Sequence, residues 1–375
     1  SIGTPALFHA PLAPLLAVLW FLGVAPPAAH ALLPPWRGDL RIQTSFGRDT
    51  NVGENLESRL RVADTFARLQ ADTRVVSDSV PLLGHGELSL RLLGERYTDH
   101  PREDRVLGEI RGSFERDLGR SRGGLEAGFT IRDFPDSSAR HLRRGWGEVG
   151  FSTPLGPRGE LQPRLRYWRL DFRDDAGRGQ HGFSVDVGYR QPLHRALEGQ
   201  VGLEIGSVRH GTHAIRFSGD PAMPSGVSDR RRNDSYRLAH VGIQVVRFAL
   251  LRVRYGFRAQ DSNSVDAILD RHEFSWLIAR GLPWGVRGQF FGSVERTSYS
   301  EGELRDLIIV GAGDPEVGDD DNAVVLRLSR ALGDAWTCEV RHAWYRNESL
   351  LLQNYYHKRV WSIGLGWASR AVSGS

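Results

Sequence analysis

Apolar residues recur at every second position along most of this chain of 375 residues. Phe183, Val185 and Val187 follow this rule, and polar residues or Gly stand between them. A helix would repeat its apolar residues every three to four positions, whereas a half-buried strand repeats them every second position. The alternation therefore predicts an all-β chain.

Sixteen such segments can be counted, and a strand that crosses a bilayer needs about 9–11 residues. Their spacing leaves room for a strand of that length and a connection. The segments start near Leu40, Thr65, Glu87, Val106, Leu125, Gly145, Leu161, Phe183, Leu197, Arg237, Ala249, Glu273, Val286, Ala323, Trp336 and Arg359.

The connections between these segments alternate in length. Those after even-numbered segments are tight and rich in Pro and Gly, for example at 153–157 and 281–284. The longest connections, at about 208–233 and 297–322, follow odd-numbered segments. Short turns on one side, long loops on the other and an even strand number predict a closed antiparallel transmembrane β-barrel. It would have short periplasmic turns and long extracellular loops.

Residues 1–31 contain no Asp, Glu, Lys or Arg, and 15–24 form an apolar run. Ala29-His30-Ala31 then offers small residues at the two positions that a signal peptidase reads. We therefore expect a cleaved signal peptide over 1–31, and a barrel with a short C-terminal tail over 32–375. A membrane anchor is the alternative for the first segment, but the run is short and ends at Pro26-Pro27.

A soluble sandwich or propeller would show the same alternation of apolar and polar residues. The export signal and the alternating loop lengths favour the membrane, and so do tryptophans near strand ends, where interfacial girdles lie. These predicted interface aromatics are Trp146, Trp276, Trp336, Trp344, Trp361 and Trp367. The expected location is the outer membrane of a Gram-negative bacterium.

An aromatic strand, an Asn/Ser-containing loop and a closing aromatic strand recur in the chain. The unit spans 255–276 and is repeated at 344–361, and Phe46-Gly47-Arg48-Asp49-Thr50-Asn51 echoes its first half. With this unit, the chain resembles bacterial outer-membrane β-barrels of the porin-like and exopolysaccharide-export kinds. A simpler interpretation is that barrel hairpins solve the same interface problem repeatedly, and we favour it over a shared export function.

Two features depart from that resemblance. In large classical porins the third external loop is long and folds into the pore, whereas here it covers only about 134–141. Outer-membrane barrels commonly end on an aromatic residue that the insertion machinery recognises. Here Trp367 is followed by the tail 368–375.

If the apolar residues face lipid, the residues between them face the lumen, because Arg on the lipid face at the midplane costs about 2–4 kcal/mol. The Arg and Glu residues of this set have two interpretations. They create a transverse field that favours polar or anionic solutes, or they pair and tie the wall together, which we favour. The predicted pore-lining residues are Arg68, Arg74, Arg91, Arg111, Arg132, Arg164, Arg166, Arg190, Arg252, Arg254, Arg287, Arg341, Glu109, Glu126, Glu204, Glu295 and Glu339.

Other chemistry is sparse in the sequence. An acidic cluster in the loop at 297–322 offers the oxygen ligands that Ca²⁺ prefers, but its spacing matches no EF-hand, and we interpret it as solvated. Its members are Asp314, Glu316, Asp319, Asp320 and Asp321. Arg230-Arg231-Arg232 is a candidate contact for lipopolysaccharide phosphates or an anionic polymer, but we favour a solvated run.

A net charge of +4 gives no reason to expect nucleic-acid binding, and one Cys excludes an internal disulfide. No Ser/His/Asp arrangement suggests an enzyme, and we expect no cofactor. The expected partners are outer-membrane lipid, lipopolysaccharide and the barrel-insertion machinery.

The sequence thus favours a passive channel for polar solutes or a secreted polymer, with a charged lumen. One alternative is the exit barrel of an exopolysaccharide secretion system, with periplasmic export partners. Another is a structural or adhesive barrel with a closed lumen, for which the loops at 208–233 and 297–322 are the candidate plugs.

Overall fold

The computed structural model describes residues 37–52, 62–80, 83–135, 141–173, 176–220, 223–299, 322–347 and 356–369. Within these ranges, sixteen antiparallel strands form one closed barrel. Each strand pairs with the next one in the chain, and the last pairs with the first. The prediction of a closed all-β barrel is confirmed.

The strands are β1 (Arg37–Asp49), β2 (Asp64–Val80), β3 (Gly84–Tyr97), β4 (Arg105–Leu118), β5 (Ser121–Asp133), β6 (Leu142–Leu155), β7 (Gly159–Phe172), β8 (Gln180–His194), β9 (Leu197–Asp220), β10 (Met223–Val246), β11 (Leu250–Ser262), β12 (Leu269–Gly281), β13 (Val286–Tyr299), β14 (Ala323–Ala331), β15 (Trp336–Asn347) and β16 (Tyr356–Ala368).

One strand start differs clearly from the sequence prediction. β10 begins at Met223 rather than near Arg237, and the predicted loop at 208–233 belongs mostly to two strands of 24 residues each. Outside the membrane both faces of such a hairpin meet water, so no apolar alternation is needed to form it. The hairpin is fastened to its neighbours, since Ile215 N donates to Ser264 Oγ at 2.8 Å.

The connections alternate in length as expected, except that the connection after β9 covers only 221–222. After even-numbered strands the chain reverses tightly, with positive φ at Gly156 (71°) and Gly333 (85°), where a side chain would be strained. The connection from β5 to β6 covers only 134–141, as the sequence indicated. The loop at 300–321 and the segment 1–36 lie outside the described residues. The expected plug and signal peptide therefore remain predictions.

The outer surface of the barrel is apolar. On β8, Phe183, Val185 and Val187 are exposed, whereas Ser184 between them is buried. Contiguous apolar surface of this extent is unfavourable in water, because soluble monomers rarely expose large apolar patches. Lipid tails covering this surface remove that cost. The chain is therefore a transmembrane β-barrel of the outer-membrane type.

No helix in the part of the chain that the structure describes is long and apolar enough to cross a bilayer.

The seam between the first and last strands carries a buried polar network at its external end. Asp49, which ends β1, has no exposed surface, and Lys358 Nζ of β16 lies 3.1 Å from its Oδ2. Asn51 N donates to Asp49 Oδ1 at 2.9 Å, and Asn51 Nδ2 donates to the carbonyl oxygen of His357 at 3.0 Å. The contacts of Lys358 and His357 join residues more than 300 positions apart and fasten the closure.

We predict that Lys358→Met destabilises the barrel at this seam, because it leaves the Asp49 carboxylate buried without its cation. Removing one partner of a buried pair costs about 3–5 kcal/mol. The midpoint of heat-induced loss of the folded electrophoretic form should fall, and Lys358→Arg should retain most of the wild-type midpoint. A Lys358→Met barrel as stable as wild type would contradict this role.

Candidate functional site: the luminal wall

The predicted pore-lining residues share one face of the barrel. Each lies in its strand at a position alternating with the exposed apolar side chains, and therefore points toward the lumen. The residues placed in this way are Arg68, Arg74, Arg91, Arg111, Arg132, Arg164, Arg166, Arg190, Arg252, Arg254, Arg287, Arg341, Glu109, Glu126, Glu204, Glu295 and Glu339.

Many luminal arginines form ion pairs across neighbouring strands. Arg74 Nη2 lies 2.6 Å from Glu87 Oε2 between β2 and β3. Arg166 Nη2 lies 2.6 Å from Glu148 Oε2 between β6 and β7. Further luminal pairs are Arg68–Glu95, Arg91–Asp72, Arg111–Glu126, Arg190–Glu160 and Arg327–Glu339. From β2 to β8 the wall is thus largely neutralised, which supports the interpretation that pairing ties it together.

Carboxylates that face each other in register are compensated by arginines on either side. Glu126 of β5 is directly opposite Glu148 of β6. Like charges in such positions destabilise a sheet. Arg111 pairs with Glu126, and Glu148 is shared by Arg166 and by Arg164, whose Nε lies 3.8 Å from Glu148 Oε1. Removing one of these arginines would therefore expose an acidic pair.

Three arginines of β11 differ from the paired arginines of the wall. Arg252, Arg254 and Arg258, which we call the β11 arginine stripe, have no carboxylate within ion-pair distance among the described residues. Arg252 Nη2 instead donates to Gln244 Oε1 at 2.7 Å. The guanidinium of Arg258 lies 4.1 Å from the centre of the Tyr236 ring. The stripe is consequently a basic part of the luminal wall without ion pairs among the described residues.

An acidic pair lies near the stripe. Asp186 of β8 is directly opposite Glu204 of β9, and Tyr236 Oη donates to Glu204 Oε1 at 2.7 Å. A luminal cavity of about 330 Å³ lies beside Glu126 and Glu148, and a second of about 210 Å³ joins the acidic pair to the stripe. The second cavity is lined by residues that include Arg164, Arg166, Asp186, Glu204, His240 and Arg254. Acidic and basic groups thus border the same space.

The prediction for Trp146 is wrong. It alternates with Val149 and Phe151 of β6, which are exposed, and so points into the lumen. There its ring lies 5.8 Å from the guanidinium carbon of Arg111. Five other predicted interface tryptophans lie on the outward face of their strands: Trp276, Trp336, Trp344, Trp361 and Trp367.

The luminal tryptophans lie flat against glycines of the next strand. A Cβ on Gly128 would come within 2.6 Å of Trp146 Nε1. A Cβ on Gly182 would come within 2.5 Å of Cε2 of Trp168, a luminal residue that the sequence analysis did not single out. Each glycine is directly opposite its tryptophan in register. The rings therefore cover the wall instead of projecting across the lumen.

The remaining sequence candidates add little chemistry. Asp314, Glu316, Asp319, Asp320 and Asp321 lie outside the described residues. Within the described ranges, no group of three or more His, Cys, Asp or Glu residues could hold a metal ion. Of the run Arg230-Arg231-Arg232, the first two are exposed, and Arg232 Nη2 lies 2.7 Å from Asp234 Oδ2.

Comparison with known proteins finds similarity in solved structures alone, because no family model and no curated protein matches the chain. Pseudomonas putida OprB shares 9% identity over 91% of this chain and 96% of that chain, with a TM-score of 0.48. Pseudomonas aeruginosa OpdO shares 10% identity over 92% of this chain and 99% of that chain, with a TM-score of 0.46. A bacterial polysaccharide outer membrane secretin shares 11% identity over 89% of this chain and 98% of that chain, with a TM-score of 0.41. Similarity at this level supports no inference about function.

We predict that Gly182→Val destabilises the barrel, because the new side chain overlaps the rigid Trp168 ring. Overpacking of this kind costs about 1–3 kcal/mol, which would appear as a lower midpoint of heat-induced unfolding in detergent. Gly94→Val is the matched control, since a Cβ at Gly94 meets nothing within 4 Å. Equal losses in both variants would show that contact with the ring is not the cause.

Proposed function

We propose that the protein is a passive outer-membrane channel for polar solutes. The observation that carries the proposal is the exposure of charged side chains on the inner wall. Arg74, Arg91 and Arg111 keep 55%, 52% and 53% of their side-chain surface exposed. Because these side chains point away from lipid, water reaches them from inside the barrel. A barrel of this strand number is wide enough to hold an aqueous channel.

The mechanism is diffusion without a chemical step. A dissolved solute loses contacts with water as it enters and gains contacts with guanidinium and carboxylate groups of the wall. These groups are numerous enough for the gained contacts to offset the lost ones. The paired wall from β2 to β8 contributes little net field. The β11 arginine stripe adds positive charge that has no ion pair among the described residues, so we infer a modest preference for anionic over cationic solutes.

A second candidate function is external binding by a barrel that does not conduct. The hairpin of β9 and β10 favours it, since both strands continue well beyond the external end of β11. Arg230 and Arg231 are exposed on this part of β10. Passage of a secreted polymer would use the same charged lumen as passage of small solutes. Conductance separates the non-conducting candidate from the channel, and exclusion of polymers of increasing size separates the two kinds of passage.

The decisive experiment is single-channel recording from protein spanning 32–375, refolded and inserted into a planar bilayer. Steady ohmic steps are expected, and blockage by neutral polymers of increasing size would give the width of the pore. Protein that is folded, as judged by its heat-modifiable mobility, but carries no current would overturn the channel proposal and favour external binding.

We predict that Arg252→Gln/Arg254→Gln lowers the anion-to-cation permeability ratio. A unit charge 4 Å from an ion in water contributes about 1 kcal/mol, of opposite sign for anions and cations, so the permeability of each ion changes by at most about fivefold per arginine. Reversal potentials in a salt gradient measure this ratio. The change should shrink at about 1 M salt, where the screening length is roughly 3 Å.

The matched control for this pair is Arg280→Gln. Arg280 is exposed on the outward face of β12 near the turn to β13, so its loss removes a positive charge without altering the lumen. The reversal potential of the Arg280→Gln barrel should equal that of the wild type. A wild-type ratio in the double variant would show that the stripe does not set the selectivity.

A further inference from the structure

A row of basic side chains crosses the outward face of three neighbouring strands near their external ends. Arg169 of β7 is directly opposite His181 of β8, which is directly opposite Arg209 of β9. All three are exposed, and Arg169 keeps 65% of its side-chain surface accessible. We call Arg169, His181 and Arg209 the basic row.

The basic row lies at the external edge of the lipid-facing surface. Two residues closer to the barrel middle, Tyr167 of β7 and Phe183 of β8 are opposite each other and exposed. Ile205 continues this apolar surface on β9. On β7 and β8 the outward side chains thus change from apolar to basic over a single step of the alternation, and on β9 Ser207 lies between Ile205 and Arg209. Such a step marks the boundary between acyl chains and headgroups.

The row holds more positive charge than its protein neighbours neutralise. Like charges on directly opposed positions destabilise a sheet, and here basic residues occupy three consecutive positions of one row. Arg143 of β6 adds a further exposed arginine, opposite Asp171. Asp171 Oδ2 lies 2.8 Å from Arg169 Nε and is the carboxylate shown to pair with the row. Arg209 has no ion pair among the described residues.

The geometry suits an anion that is larger than one phosphate. Adjacent strands are about 4.8 Å apart, so the backbones that carry Arg169 and Arg209 are separated by roughly 10 Å. A headgroup with one or two phosphates spans that distance and accepts hydrogen bonds from both guanidinium groups and from the imidazole. Guanidinium groups bind phosphate oxygens through short, charge-assisted hydrogen bonds.

We propose that the basic row binds the phosphorylated headgroup of an outer-leaflet lipid. The acyl chains of that lipid lie along Tyr167, Phe183 and Ile205, and its phosphates lie against Arg169, His181 and Arg209. The continuity between the apolar surface and the basic row selects a lipid over a free anion, because a free anion gains nothing from the apolar residues. This site is independent of conduction through the lumen.

The test measures binding of bisphosphorylated lipid A to the full barrel in detergent micelles, by native mass spectrometry across a lipid titration. Loss of charge-assisted hydrogen bonds from two arginines should weaken binding by Arg169→Gln/Arg209→Gln at least about tenfold. Arg169→Lys/Arg209→Lys, which keeps the charge, should bind more tightly than the Gln pair. Heat-modifiable mobility confirms that each variant is folded.

The matched control is Arg96→Gln, because Arg96 is an exposed, outward-facing arginine at the external end of β3, 4.0 Å from Asp104. It should bind lipid A as the wild type does. Lipid A without phosphates should bind weakly to every variant, and inorganic phosphate should not compete at equal concentration.

Four results would overturn the proposal. One is wild-type affinity in the Arg169→Gln/Arg209→Gln variant, which would show that the basic row does not bind the headgroup. The second is equal binding of lipid A without phosphates, which would show that the apolar surface alone accounts for the affinity. The third is competition by inorganic phosphate at equal concentration, which would indicate a free-anion site. A barrel that dimerises through this face, and loses the dimer in the Gln pair, would assign the row to a second copy of the chain.

Discussion

Closure of the hydrogen-bonded sheet is the constraint on which the rest of this structure depends. Each backbone N–H and C=O inside hydrocarbon must have a partner, and an open edge would leave a whole row unpaired. Pairing of β1 with β16 removes that edge. The buried Asp49 and Lys358 hold the two strands together at the external end, where the paired register stops. Closure of the sheet separates an inner face of the wall, toward the lumen, from an outer face, toward lipid.

The strand pattern could be predicted from sequence because each face of the wall meets a different medium. Lipid requires apolar residues at alternate positions, and the lumen admits charge between them, so the period of two is strong wherever the chain crosses the membrane. β10 shows where this reasoning fails. Its first part, which includes Arg230 and Arg231, projects into water on both faces, and the sequence there resembles a loop although the backbone is paired.

The sequence could predict which residues line the lumen, but not which of them form ion pairs with each other. Alternation with apolar neighbours placed Arg164 and Arg166 on the inner face, and the same rule applied to Trp146 would have placed it beside Glu148 in the lumen. Arg258 obeys that rule as well, yet was not among the candidates. Which groups pair depends on register between strands, which alternation does not specify, so the difference between the paired wall and the β11 arginine stripe required the structure.

Solvent exposure of the luminal ion pairs links the pairing of charges on the wall to the selectivity of the lumen. Ion pairs exposed to solvent contribute only about 0–1 kcal/mol each, so the luminal pairs cannot be the main source of stability. Their larger effect is to cancel the field of Arg74 or Arg166, which would otherwise attract anions along the whole wall. The β11 arginine stripe has no ion pair among the described residues, so its field is not cancelled in this way. A few arginines on one strand can therefore bias passage in a lumen lined by many.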